Sequence, residues 1–174
     1  RNLGDAEAAL GTGIDGFVDS LRSEGRSAVA LVGDIGDPAD VARILAEVDE
    51  RFGRLDVLVN NAAAPQGPDR SDIGELTLEV WNELIRVNLT GTFLMCQAGV
   101  ALMRRNRYGR IVNISSMAAL TAAPRSVPYS AAKAGILGLT RALSMDVARW
   151  GITVNAIAPG LVGTSRSMLG RRDA

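Results

Sequence analysis

Short, nearly continuous apolar runs alternate along this chain with longer segments whose apolar residues recur at helical spacing. That alternation narrows the fold more than any other feature. The runs are SAVALVG at 27–33, DVLVN at 56–60, RIVNIS at 110–115 and ITVNAI at 152–157. Apolar runs of this kind suit strands of a parallel sheet, covered on both faces. Between the first two runs, Asp37 and Pro38 read as an N-cap and a first-turn proline. Val41, Ile44, Leu45, Val48 and Phe52 then mark one helical face, and Gly53 ends it. Thr77 opens a long helical stretch, TLEVWNELIRVNLTGTFLMCQAGVALMRR, interrupted near Asn88–Gly91. A second long helix, PYSAAKAGILGLTRALSMDVARW, stops before Gly151. Joined by right-handed crossovers, these elements predict an α/β fold built on a doubly wound parallel sheet. Residues 1–26 read as the second half of a helical crossover. The strand that should precede that crossover is absent, leaving one partial domain over residues 1–174.

Composition removes whole classes of chemistry. There is no histidine, which excludes Ser-His-Asp and Cys-His catalysis and HExxH zinc sites. The single cysteine, Cys96, excludes an internal disulfide and a thiolate metal cage. Nineteen basic residues balance nineteen acidic ones, so no electrostatic footprint for nucleic acid or an anionic membrane is expected. No run approaches the ~18 apolar residues a spanning helix needs. The first residues, RNLGDAEAAL, carry acids and lack an apolar run, so they do not read as a secretory signal, and a cytoplasmic protein is expected. Acid–base work must fall to Tyr, Lys, Asp or Glu.

Lysine occurs once, at Lys133, while the other eighteen basic residues are arginine. An ammonium is a compact point charge that a planar guanidinium does not replace. It sits four residues after Tyr129 in Tyr129-Ser130-Ala131-Ala132-Lys133. Residues i and i+4 share a helix face, so phenol and ammonium converge. A nearby cation favours the phenolate, and such a phenol can exchange a proton with an alcohol or a carbonyl. Ser115 and Ser116 end the strand at 110–115, at the edge where open α/β sheets place their ligands. The bare Tyr-Lys spacing is also common on exposed helix faces, where an aromatic ring simply rests on a lysine stem.

Six segments in order resemble the short-chain dehydrogenase/reductase family, in particular its members similar to 3-oxoacyl-(acyl-carrier-protein) reductases. They are GDIGDP at 33–38, LDVLVNNAA at 55–63, VNLTGTF at 87–93, GRIVNISS at 109–116, PYSAAKAG at 128–135 and GITVNAIAPG at 151–160. The resemblance implies a Rossmann-like fold, NAD or NADP as cofactor, a small carbonyl or alcohol substrate, and a homodimer or homotetramer built on the two long helices. It also implies roles. Tyr129 matches the catalytic acid/base, and Lys133 the residue that tunes it and holds the nicotinamide ribose. Ser116, thirteen residues before Tyr129, matches the substrate-orienting serine. Asn88 matches the asparagine that holds a relay water near Lys133, its carbonyl freed by the helix break. On the cofactor side, Asp34 and Ile35 match the adenine contact, and Asn61, Ala62 and Ala63 the ribose lining. Pro159, Gly160, Val162 and Thr164 match the stretch closing over nicotinamide and pyrophosphate. Ala63 stands where the family has glycine, so its φ should stay negative. Asn60 is read as structural, bonding neighbouring strand backbone, and Met117, Leu120 and Pro124 as one wall of an apolar pocket.

Two features are set aside. Gly11-Thr12-Gly13-Ile14-Asp15-Gly16 spells GxGxxG but follows a helical pattern rather than a strand, so it reads as a loop interrupting a helix and holds no phosphate. Arg104, Arg105, Arg107 and Arg110 cluster where a helix ends, which suits compensation of its dipole. The resemblance implies that the family's own glycine-rich turn would precede Arg1, so that the fold lacks its first strand, first helix and second strand. The first strand lies at the centre of such a sheet, and without it the strand at 27–33 has no neighbour, which predicts either a longer protein or a damaged sheet. Two other readings therefore stay open: a chain that keeps the family's sequence without binding a dinucleotide, and a module for another nucleotide.

Overall fold

The computed structural model describes residues 13–65, 67, 69–121 and 123–162. These fall into two compact units, one comprising Arg1–Val32 with Leu161–Ala174 and the other Gly33–Gly160. In the first unit, α1 spans Gly13–Ser23. Arg22 Nε, in its last turn, donates to the Ala28 carbonyl at 3.1 Å. Residues 13–16, expected in a loop, form the first turn of α1 instead. Residues 11 and 12 lie outside the described region.

In the second unit, α2 runs Pro38–Phe52 and is bounded by local chemistry. The Asp37 carboxylate accepts from the Ala39 N–H at 2.8 Å, Pro38 supplies the fixed φ of a first helical residue, and Gly53 closes the helix at φ 67°. Three parallel strands follow: β1 at Val57–Asn60, β2 at Gly109–Ile114 and β3 at Ile152–Ile157, in the order β1-β2-β3. The register pairs Leu58 with Ile111 and Asn60 with Asn113, then Ile111 with Val154 and Asn113 with Ala156.

Between β1 and β2, Thr77 caps α3 (Leu78–Ile85), its hydroxyl accepting from the Val80 N–H. The helix then passes through one π-turn, Arg86–Thr90, into α4 (Gly91–Asn106). This is the expected interruption, and its form is a bulge rather than a gap. Between β2 and β3, a 3₁₀ turn at Met117–Ala119 precedes α5 (Val127–Val147). The result is a parallel sheet with flanking helices, Rossmann-like.

The core lies where α4 and α5 meet one face of the sheet. Cys96, Val100 and Met103 from α4 and Val147 from α5 pack with Leu58, Ile111, Ile152 and Val154. Alternate positions Val57, Val59 and Ile157 are half exposed on the opposite face. Among the described residues, no helix is long and apolar enough to cross a membrane.

The run at 27–33 is not a strand of this sheet. Apolar composition makes a segment suitable for a sheet, but only a neighbouring backbone creates the ladder. The arginine cluster also serves more than a helix dipole. Arg104 stacks on Trp150 at 3.6 Å, Arg105 pairs with Asp49, Arg107 donates to the Arg149 carbonyl, and Arg110 reaches the Gly151 carbonyl.

This packing predicts a strong asymmetry between the two faces. Ile111→Ala, which empties a site with 1% exposure, should lower the unfolding free energy by about 2–5 kcal/mol. Val57→Ala, on the open face, should cost no more than about 0.5 kcal/mol. Urea unfolding of the two variants measures both.

Candidate active site

Because the strands are parallel, their carboxyl ends share one edge, and several of the expected site residues lie at or next to it. Lys133, on α5, is only 4% exposed. Its Nζ donates to the Ile114 carbonyl at the end of β2 at 2.7 Å. It also stands 5.7 Å from the centroid of the Tyr129 ring, one helical turn earlier. Tyr129 itself is half-buried. The i, i+4 spacing thus brings the only ammonium of a lysine side chain to the ring, as the sequence leads one to expect.

The two serines at the end of β2 have different surroundings. Ser115 is buried, with its Oγ donating to the Lys133 carbonyl at 2.8 Å and its N–H to the Ile157 carbonyl at 2.7 Å. Ser116 is half-buried and caps the 3₁₀ turn, where its Oγ accepts from the Ala118 N–H at 3.2 Å. Of the two hydroxyls, the one on Ser116 is the more accessible. Next along, the Met117 N–H donates to the Pro159 carbonyl at 2.9 Å, tying the segment after β2 to the segment after β3. Gly160 is exposed, with Met117 as its nearest side-chain neighbour. Met117, Leu120 and Pro124 are all exposed.

Asn88 lies in the π-turn with no exposed surface. Its Oδ1 accepts from the Ala64 N–H at 2.8 Å, pinning the loop that follows β1. Its carbonyl, expected to be freed by the helix break, accepts from Thr92 Oγ1 at 2.8 Å. Its Nδ2 is buried without a partner among the described residues. Within the pinned loop, Asn61 and Ala62 are exposed and Ala63 is half-buried. Among the described residues, the non-glycine ones with positive φ are Arg107 and Arg125, so Ala63 keeps the negative φ expected of it.

Asp34 is engaged on both oxygens. Oδ1 accepts from the Gly36 N–H at 2.7 Å and Oδ2 from Arg86 Nη1 at 2.8 Å. The Gly36 N–H first, and then Arg86, hold this carboxyl below the usual carboxylate range. Arg86 also grips Glu83 through two bonds, at 2.8 and 2.9 Å. A Cβ at Gly36 would meet the Arg86 guanidinium, so the glycine lets this side chain lie close against the turn. Ile35 packs on Gly91 in the same way, since a Cβ there would stand 2.9 Å from its side chain. Val162 is 57% exposed and belongs to the other compact unit, and Thr164 lies outside the described residues.

Some of what supports the site escapes sequence reasoning. Arg86 carried no assignment, although Glu83 three residues earlier is a helical pairing signal. Asn60 does not bond strand backbone. Its Nδ2 donates to Asn113 Oδ1 at 2.8 Å, and Asn113 Nδ2 donates in turn to Thr140 Oγ1 at 3.0 Å. The side chains, rather than the main chains, are joined because Asn60 and Asn113 are register partners on the same face.

Residues 11–173 match the profile of the family described as short chain dehydrogenase. The chain belongs to the short chain dehydrogenase family. Among its relatives is the (2S)-[(R)-hydroxy(phenyl)methyl]succinyl-CoA dehydrogenase subunit BbsD of Thauera aromatica, 44% identical over 161 residues, or 92% of this chain and 61% of that protein. A 3-oxoacyl-[acyl-carrier-protein] reductase of Synechocystis sp. is 36% identical over 90% of this chain and 62% of its own length. Among solved structures, a gluconate 5-dehydrogenase from Burkholderia cenocepacia in complex with NADP and tartrate superposes with a TM-score of 0.83. It is 34% identical, and the match covers 91% of this chain and 61% of that one. The chain spans about three-fifths of the length of these short chain dehydrogenase relatives.

The thiol beneath the site gives a direct check on its packing. Burial pushes Cys96 up to about 11, against smaller opposing effects of Asn60 and Asn113. A raised value means the folded chain favours the neutral thiol. Its contribution to stability is full below 9.0, its ordinary value, and is lost as pH rises toward about 11. At pH 8 the native protein should resist a thiol-specific disulfide reagent that labels Cys96 promptly in denaturant. Prompt native labelling would contradict the packing.

Proposed function

We propose that this chain carries the catalytic and nicotinamide-side residues of an NAD(P)-dependent oxidoreductase acting on a small carbonyl compound or secondary alcohol. The observation that carries this reading is the meeting of Lys133 Nζ with the Tyr129 ring at the carboxyl edge of a parallel sheet. Open α/β sheets bind ligands at that edge.

The residues present suit the nicotinamide side of a dinucleotide. Lys133 offers ammonium donors to ribose hydroxyls. Asn88 Nδ2, in the turn that pins the loop after β1, is a buried donor without a partner among the described residues. A bound nicotinamide supplies or accepts a hydride. The phenol of Tyr129 gives its proton to a carbonyl oxygen being reduced, or takes one from an alcohol being oxidised. The Ser116 hydroxyl donates to that same oxygen and fixes its direction. The Lys133 ammonium steadies the negative charge left on the phenol oxygen. Asn88 is assigned to the water path that returns a proton toward Lys133.

Asn61, Ala62 and Ala63 are assigned to the adenosine ribose, and Pro159, Gly160, Val162 and Thr164 to the nicotinamide and pyrophosphate. Asp34 and Ile35 are assigned to the adenine. The bonds from Gly36 and Arg86 leave the Asp34 carboxylate further lone pairs for that contact. A homodimer or homotetramer formed through α4 and α5 belongs to the same reading, supported by Phe93 and Met145, which stay 43% and 80% exposed on those helices.

Tyr129→Phe tests the proposal. With the proton donor gone, turnover should fall by about 10²–10⁴-fold while NADPH or NADH still quenches protein fluorescence. Lys133→Arg should not restore the missing function, because a planar fork does not reproduce a point charge. Undiminished turnover in Tyr129→Phe would overturn the assignment.

A further inference from the structure

We propose that Ser115 is a positioning residue for Lys133, holding it through a two-way clamp between the end of β2 and α5. The inference rests on the reading of Lys133 given above, and it assigns a role to the serine that reading left unused. Ser115 is 2% exposed and Lys133 is 4% exposed. The Ser115 hydroxyl donates to the Lys133 carbonyl at 2.8 Å. The Lys133 ammonium returns to the same strand end and donates to the Ile114 carbonyl at 2.7 Å. Adjacent residues of β2 and its extension thus bind both ends of one side chain, its base through the main chain and its head through Nζ. The Ser115 N–H, bonded to the Ile157 carbonyl at 2.7 Å, fixes the clamp to β3 as well.

A lysine has a long flexible stem, and fixing its head alone leaves the helix free to slide against the strand. Fixing the base sets how far the ammonium reaches. In a helix, the Lys133 carbonyl already accepts one N–H, and its second lone pair takes the Ser115 hydroxyl. The bond therefore costs the helix nothing, and it aligns the turn carrying Tyr129 and Lys133 with the strand end carrying Ser116. Removing the hydroxyl leaves every apolar contact of the core in place while unlocking this one spacing.

The single lysine makes the test selective, because lysine labelled with ¹³C at Cε and ¹⁵N at Nζ gives one side-chain signal. In the intact protein, Ser115→Ala should speed exchange of the Lys133 ammonium protons with water about tenfold, the loss of one net hydrogen bond. The dissociation constant for NADPH or NADH, read by fluorescence, should rise about three- to tenfold for the same reason. Ser115→Thr, which restores a hydroxyl, should bring both back. Ile111→Ala, a core cavity on β2 away from Lys133, should leave the exchange rate unchanged. If Ser115→Ala does not fold, Ser115→Cys, near in shape and a weak donor, is read by the same criteria. An exchange rate in the hydroxyl-free variant equal to that of the unaltered protein overturns the proposal. So does an equal acceleration in Ile111→Ala. A protein that binds neither nucleotide defeats the oxidoreductase reading, yet the exchange rates still judge Ser115.

Discussion

Burying an ammonium is costly unless its donors are met, and Lys133 is buried in a chain whose every other cation is an arginine. The Ile114 carbonyl meets it at the point where β2 stops. The contact joins α5 to the strand end, so the position of the ammonium is set by β2 as well as by α5.

The same edge explains why the helix between β1 and β2 is bulged. A regular helix from Leu78 to Asn106 would keep each carbonyl and N–H in its own ladder. The π-turn at Arg86–Thr90 turns Asn88 inward, where its amide oxygen takes the Ala64 N–H. Close approach at the turn's end is possible because Gly91 has no Cβ to strike Ile35. At its start, Arg86 reaches Asp34, so one bulge secures both the loop before α2 and the loop after β1. That ion pair is about half exposed and adds little stability, and its role is directional.

Much of this was legible in the sequence because it is local chemistry. The Asp37-Pro38 start, the Gly53 stop, the Thr77 cap and the break before Gly91 each depend on residues within a turn of one another. Lys133 and Tyr129 were legible for the same reason. What was not legible depends on partners distant in the chain. The run at 27–33 has the composition of a strand, yet pairing is a property of two segments. Arg86 finds Asp34 across 52 residues, and Asn60 finds Asn113 across 53. No spacing rule reaches that far. The GxGxxG at 11–16 reads as a loop, yet its described part is the first turn of a helix.

The chain Asn60–Asn113–Thr140 runs beneath the site from β1 through β2 to α5. Thr140 passes it on to the Ile136 carbonyl, within the helix that bears Lys133. A buried polar chain adds less stability than an apolar one of equal volume, but it has far fewer acceptable registers. A slip of one residue between β1 and β2 would move Asn60 or Asn113 to the opposite face and leave buried amides unmet. Strands of valine and isoleucine alone would tolerate that slip more readily. The polar chain therefore ties the register of the strand whose end meets the ammonium of Lys133. Cys96 joins both asparagines as a weak hydrogen-bonding group, its Sγ accepting from Asn60 Nδ2 at 3.2 Å and donating to Asn113 Oδ1 at 3.6 Å.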